Sequence, residues 1–297
     1  MADDALPEPG RWAHIACVAE VTAFKAGNVH PTAAFEEVTW ETFVVSAMAC
    51  APVLNCAVER GVGPTVLECV EATRAAVGTN TNLGIILLLA PLCAVPLDRS
   101  LGEGVGRVLA ALDDDDARSI YRAIRLADPG GLGRHEVADV RDNPDRSVVE
   151  AMRRAADRDA VARQYVNGFA DVLDRIAPLM SPGRGTLDQA IVWAHLEQMA
   201  HEPDSLIRRK CGEAIACESQ QRAVSVLAAG WPETPDGYVR FDEFDAWSRA
   251  DGHRRNPGTS ADLITAGLFA ALREGVIASP FMWSRTLSPS VKSRYDG

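Results

Sequence analysis

Apolar residues along this chain recur every three or four positions and almost never every second one, the spacing of helices with one buried face. Ile15, Val18 and Val21 predict a first helix over 11–24. Phe43, Ala47, Cys50, Leu54 and Ala57 form the stripe of a second, over 40–60. Gly63-Pro64 opens a third, which carries Val66, Val70 and Thr73 and stops at Gly78; proline suits a helix start because it has no N–H to leave unpaired. Residues 84–95 are apolar almost throughout, too short a run to cross a bilayer and better read as a buried core helix closed by Pro96.

Beyond the centre of the chain the same spacing continues. Val161, Tyr165, Phe169, Val172 and Ile176 share one face of a helical stretch over 147–177. Another helix covers 186–201, Pro203-Asp204 opens the next, and 215–229 continue as helix. Residues 231–237 read as a Pro/Gly-rich turn, and Leu263, Leu268 and Leu272 mark a last strong helix. No run alternates apolar and polar residues, and no β-branched strand sits between turn signals. The expectation is an all-α fold, one globular domain of about ten helices over 1–297 with irregular tails at 1–10 and 276–297.

Composition narrows the function classes. With 297 residues and 47% of them hydrophobic, the chain can build a large core. Its net charge of -11 argues against a nucleic-acid or anionic-membrane partner, so an anionic ligand would need a locally basic site. The seven cysteines form no C-x-x-C pair, which predicts reduced, buried thiols and a cytoplasmic protein. The acidic N-terminus with Pro7 and Pro9 lacks the basic and apolar regions of a signal peptide. Zinc spacing, a G-x-S-x-G elbow and a P-loop are all missing, and Gly130-Gly131-Leu132-Gly133 lacks the strand that a dinucleotide fingerprint follows. Asp113 to Asp116 could bind magnesium, but acidic residues in a helix's first turn also complement its dipole, and that reading is preferred.

Candidate chemistry gathers in glycine-bearing loops. Gly78-Thr79-Asn80-Thr81-Asn82-Leu83-Gly84 leads straight into the most apolar segment, where a helix start carries unpaired N–H groups and a partial positive charge. Such a loop is either an anion cradle or a polar helix cap. Of 30 basic residues only three are lysine, Lys25, Lys210 and Lys292, so a lysine here marks a place that needs a compact ammonium. Lys25 precedes Gly27, and Lys210 follows Arg208-Arg209; of those three adjacent cations only one or two can face one site. Asn28, Asn80, Asn82 and Asn256 all lie in glycine-bearing loops.

Taken together and in order, four segments resemble motifs of the triphosphoribosyl-dephospho-CoA synthase family: Lys25–His30, Gly78–Gly84, Pro203–Gly212 and Asn256–Leu263. The resemblance implies an all-α transferase that uses ATP as a ribosyl donor, joins the ribose to the 2′-hydroxyl of 3′-dephospho-CoA, and expels adenine while keeping the triphosphate. The product is a prosthetic-group precursor. The chain departs from the family pattern at Ala26, where proline is common, and at Asn28-Val29-His30, where Leu-Val-Asp is common. It departs again at Asn82-Leu83, where His-Lys is familiar.

On this resemblance Lys25, Gly27, Asn28, Arg209 and Lys210 become candidates for phosphate, with Gly78, Thr79, Asn80, Thr81, Asn82 and Gly84 as a cradle. Asn256, Gly258 and Thr259 form a second wall. Glu20 and Asp262 are candidate carboxylates for catalysis and for Mg2+, and Asp204 is a weaker third because an acidic residue after proline is often a cap. The partners implied are ATP and a CoA-type acceptor, with a homodimer as the assembly to test. A same-scaffold enzyme with another acceptor, and a non-catalytic nucleotide-binding protein, are the competing readings. One further expectation is geometric: the loops at 78–84 and 256–263 should be opposite walls of a single site, with two helix N-termini facing the triphosphate.

Overall fold

The computed structural model describes residues 9–35, 38–127, 147–181 and 185–277; the glycine loop expected at Asp128–Glu136 and most of both tails lie outside them. Helices dominate. The first half holds α1 (Gly10–Thr22), α2 (Trp40–Asn55), α3 (Ala57–Arg60), α4 (Val62–Val77), α5 (Leu83–Cys93), α6 (Leu101–Ala110) and α7 (Asp114–Ala127). The second half holds α8 (Val148–Ala155), α9 (Ala160–Asn167), a π-helix (Asp171–Ile176) and α10 (Ala177–Leu179). It continues through α11 (Leu187–His201), α12 (Ser205–Cys211), α13 (Glu213–Ala228), α14 (Pro235–Arg249) and α15 (Gly258–Arg273). The described residues contain no strand, only an isolated bridge between His30 and Ala33. None of their helices is long and apolar enough to cross a membrane.

The all-α expectation holds, but helices are more numerous and shorter than the apolar pattern implied. The stretch at 40–60 breaks at Cys56, whose ψ of 16° leaves helical geometry. The stretch at 147–177 breaks twice: Asp159 starts α9 by accepting from the N–H groups of Val161 and Ala162, and Gly168 and Phe169 end it with positive φ. The buried face survives both breaks, since Val161, Tyr165, Phe169, Val172 and Ile176 are all core. Two helices were not expected. α6 carries Gly102, Gly104 and Gly106, and Gly104 is required because Val95 fills the place of its side chain. The turn expected at 231–237 is present over 231–234, and α14 follows it from Pro235; Thr234 caps it, and Phe241, Phe244 and Ser248 form its buried stripe among many charges.

The acidic run is a cap, as preferred. The Asp113 carboxylate accepts from the N–H groups of Asp115 and Asp116, and Asp116 accepts from Gly63 N–H at 2.6 Å. All seven cysteines are free, but only Cys50, Cys69 and Cys93 are buried, a correction to the expectation of buried thiols.

The core is organised around α5 and α15. α15 touches α1, α5, α9, the π-helix, α10, α11 and α12. Pro91 lies inside α5 and cannot donate to the Leu87 carbonyl one turn earlier. The Tyr165 hydroxyl donates to that carbonyl instead, at 2.6 Å, so the most apolar helix keeps its backbone satisfied.

Candidate active site

α5 and α15 run side by side in the same direction. At their far ends Arg273 donates to the carbonyls of Leu92, Val95 and Pro96, closing the C-terminus of α5. At their starts Gly84 meets Asp262: the Asp262 carboxylate stands where a Gly84 side chain would be. Between Leu83 and Cys93 every residue is buried except Gly84, and between Thr259 and Leu272 every residue is buried except Asp262. The two exceptions face each other, so these two buried stretches reach the surface at the same place. Asn80 accepts the Leu83 N–H at 3.1 Å, while the N–H groups of Gly84 and Ile85 have no acceptor among the described residues. Two donors and the positive end of α5 therefore sit beside the opening.

Burial pushes the Asp262 carboxyl well above the usual carboxylate range, and the Glu20, Asp204 and Asp159 carboxylates push it further; Arg209 opposes them. Its neighbours are mostly of its own sign. Glu20, on the last turn of α1, is buried and ion-paired with Lys25 at 3.1 Å. The Lys25 ammonium also donates to the carbonyls of Glu20 and Ala23. Burial lowers the Lys25 pKa and raises that of Glu20, each against the pull of its partner. Lys25 is thus fully enclosed, and the expectation that it reaches a phosphate is corrected: its bonds are all used inside the protein.

The turn after Lys25 is occupied in the same way. Gly27 has φ +70°, its N–H donates to Asp245 at 2.8 Å, and Ser248 and Pro257 crowd its α-carbon. The close approach that glycine permits is to α14, not to a ligand. Asn28 accepts from Val29 N–H and gives its carbonyl to Arg249, though its Nδ2 is buried without a partner.

Asp204 is a shared cap. One oxygen accepts from the N–H groups of Leu206 and Ile207, starting α12, and the other accepts from the N–H and hydroxyl of Ser260, starting α15. This corrects the image of two open helix N-termini, because the start of α15 already holds a carboxylate. The loops at 78–84 and 256–263 do converge, through Gly84 and Asp262. Thr259 is buried, Gly258 packs on Leu206, and Asn256 keeps a buried Oδ1 without a partner.

Of the three adjacent cations, Arg208 pairs with Glu213 at 2.7 Å and Arg209 with Asp159 at 3.4 Å. Lys210 is partly buried, has no ion pair among the described residues, and has its pKa lowered by burial and by Arg209. In the glycine loop, Gly78 ends α4 with φ 78° and Thr79 is exposed. The side chains of Thr81 and Asn82 instead bond to α2 and α4.

Three residues near the site were not foreseen. Cys17 lies on α1 close enough to Glu20 and Asp262 for their charges to raise its pKa, already raised by burial. His30 is buried against Arg249 at 3.1 Å, and burial followed by that cation lowers its pKa to about 3. His195 is wholly buried in α11, and burial lowers its pKa to about 3. A lone histidine in a helix carries no signal of its surroundings, so only packing could reveal His195. Among the described residues, no three His, Cys, Asp or Glu side chains come together as a metal-holding group. Magnesium is commonly held by one or two carboxylates together with substrate phosphates, and Asp262 beside Glu20 fits that donor set.

Residues 7–280 match the CitG family model, ATP:dephospho-CoA triphosphoribosyl transferase. A crystal structure from Archaeoglobus fulgidus that carries the name triphosphoribosyl-dephospho-CoA synthase is similar at 26% identity with a TM-score of 0.61, covering 77% of this chain and 98% of that one. No curated protein matches the sequence.

Proposed function

The chain belongs to the ATP:dephospho-CoA triphosphoribosyl transferase family, and we propose that ATP reacts at the opening between Gly84 and Asp262. The enzyme uses ATP as ribosyl donor, forms 2′-(5″-triphosphoribosyl)-3′-dephospho-CoA and releases adenine. One observation carries the placement: within the buried stretches Leu83–Cys93 and Thr259–Leu272, Gly84 and Asp262 are the two residues that are not buried, and they meet.

Loss of adenine leaves positive charge on the anomeric carbon, which a carboxylate stabilises. Asp262 is the residue suited to that role, since among its charged neighbours only Arg209 opposes its charge. Glu20, held by Lys25, lies close enough for its charge to raise the Asp262 pKa. The attacking 2′-hydroxyl must also lose a proton, and Asp262 or Glu20 would take it. The triphosphate would lie along the start of α5, where the free N–H groups of Gly84 and Ile85 and the Thr79 hydroxyl supply donors. Lys210 and Arg209 approach from α12. Magnesium, bound by Asp262 and phosphate oxygens, would supply neutralising charge. Small-molecule partners, a cytoplasmic location and a single catalytic domain fit the net charge of -11, the free thiols and the continuous core.

The test is incubation with ATP, magnesium and dephospho-CoA, with free adenine scored by chromatography. Adenine release that requires dephospho-CoA, and that Asp262→Asn abolishes, is the expected result. Release without that requirement would point to another acceptor. Nucleotide binding without turnover would leave a sensor.

A further inference from the structure

Two side chains of α2, one helical turn apart, hold two adjacent side chains of the glycine loop. Ser46 Oγ lies 2.7 Å from Thr81 Oγ1. Ser46 donates its only proton to the Thr42 carbonyl, so toward Thr81 it accepts, and the Thr81 proton is committed to Ser46. One turn later Cys50 Sγ accepts from Asn82 Nδ2 at 3.6 Å. On the far side Thr73 of α4 donates to Asn82 Oδ1 at 3.2 Å and lies 3.2 Å from Cys50 Sγ. Cys50 also points toward the Cys69 carbonyl at 3.5 Å. Ser46, Cys50, Thr73 and Asn82 are all buried, so water cannot replace these bonds.

From this we infer that Ser46, Cys50 and Thr73 are positioning residues for the nucleotide: they fix the Gly78–Gly84 loop so that its backbone N–H groups, and not the side chains of Thr81 and Asn82, face the triphosphate. The inference rests on the reading that this loop faces ATP. The physical basis is the division of bonds within the loop. Thr81 has no proton left to donate, and Asn82 has its oxygen and one N–H bound into the protein. Shortly after them, the N–H groups of Gly84 and Ile85 have no acceptor among the described residues. A cradle of backbone donors is useful only when its carbonyl and amide directions are fixed beforehand, which a polar loop does not achieve unaided. Ser46 and Cys50 would act on ATP through the loop they hold, so their effect is indirect.

The experiment measures adenine release at varied ATP and varied dephospho-CoA for Ser46→Ala, Cys50→Ala and Cys50→Ser, with thermal melts of each. Cys50→Ala and Ser46→Ala should each raise KM for ATP about five- to tenfold, the equivalent of one lost buried hydrogen bond. KM for dephospho-CoA should stay within about twofold. Cys50→Ser, which keeps an acceptor for Asn82, should recover most of the ATP effect. Equal loss toward both substrates would mean general loosening and would overturn the inference, as would unchanged ATP kinetics in folded variants. If Cys50→Ala does not fold, the Ser46→Ala result decides alone. A wild-type enzyme that releases no adenine would instead defeat the functional reading beneath it, an outcome visible before any variant is made; the inference would fall with it.

Discussion

The carboxylate of Asp262 occupies the space that a side chain on Gly84 would need. This single contact joins the glycine loop to the last helix across most of the length of the chain, and it fixes a carboxylate beside the free N–H groups of α5. Gly84 has an ordinary helical backbone, so its role here is space and not conformational freedom. Gly84→Ala should therefore leave helix content unchanged while displacing Asp262 and reducing adenine release at least tenfold. A variant with wild-type turnover would show that the contact is incidental.

Asp262→Asn separates stability from function. The folded-state pKa of Asp262 is raised, so its ionised form is disfavoured by folding. The sign follows: stability associated with this group is greatest below the unfolded carboxylate pKa and is lost as pH rises through the folded value. The neutral amide avoids that loss. The variant should melt higher than wild type near pH 8, melt equally at acidic pH, and have little activity. A lower melting temperature at pH 8 would contradict the reading that ionised Asp262 is disfavoured in the folded protein.

The two described lysines should fail in different ways. Lys25→Ala leaves Glu20 buried without its cation, a loss of about 3–5 kcal/mol of folding stability. Lys210→Ala should fold normally and weaken ATP about ten- to a hundredfold, the effect of losing one charge-assisted contact. Denaturation curves and ATP titrations of both variants make the comparison. Lys292, the third lysine, lies outside the described residues and should serve as a neutral control.

Asp204 starts two helices with one carboxylate. Asp204→Ala removes the acceptor for the N–H groups of Leu206, Ile207 and Ser260 and for the Ser260 hydroxyl. Two lost caps correspond to about 1–4 kcal/mol. Urea denaturation should show that loss even in the absence of nucleotide. A loss confined to activity would instead give Asp204 a role in the reaction.

His30 and His195 are both buried in neutral form, with folded pKa values of about 3. Each unfolded imidazole takes up a proton near its ordinary pKa of 6.5, which the folded protein refuses. Stability should accordingly be intact above pH 6.5 and fall as pH drops toward 3, by as much as about 1.4 kcal/mol per pH unit for each histidine. His195→Gln should flatten that dependence by about one proton, measured by urea denaturation across the range.

Much of this was legible before any coordinates. Apolar spacing dictated helices because a helix buries one face at a period of 3.6 residues, and Tyr165, Phe169 and Ile176 kept their face even where the backbone broke. The unbroken apolar run after Gly84 could only be a core helix, and the four motif-bearing segments carried the family. Helix ends were less legible. The stops at Cys56 and at Gly168-Phe169 depend on backbone conformation that neighbours impose, and α6 and α14 hid behind glycines and charges that tertiary packing tolerates.

What the sequence determined, then, was which residues were chemically capable; the tertiary structure decided which of them were free. Lys25 and Lys210 are the same side chain, yet one is enclosed against Glu20 and the other has no ion pair among the described residues. Glu20, Asp204 and Asp262 are equally acidic, yet one is ion-paired, one caps two helices, and only Asp262 stands at an opening among like charges. A carboxylate's own atoms do not say which partners will reach it. Those partners come from helices distant in the chain, so their arrival is a property of the packed fold and not of any local stretch.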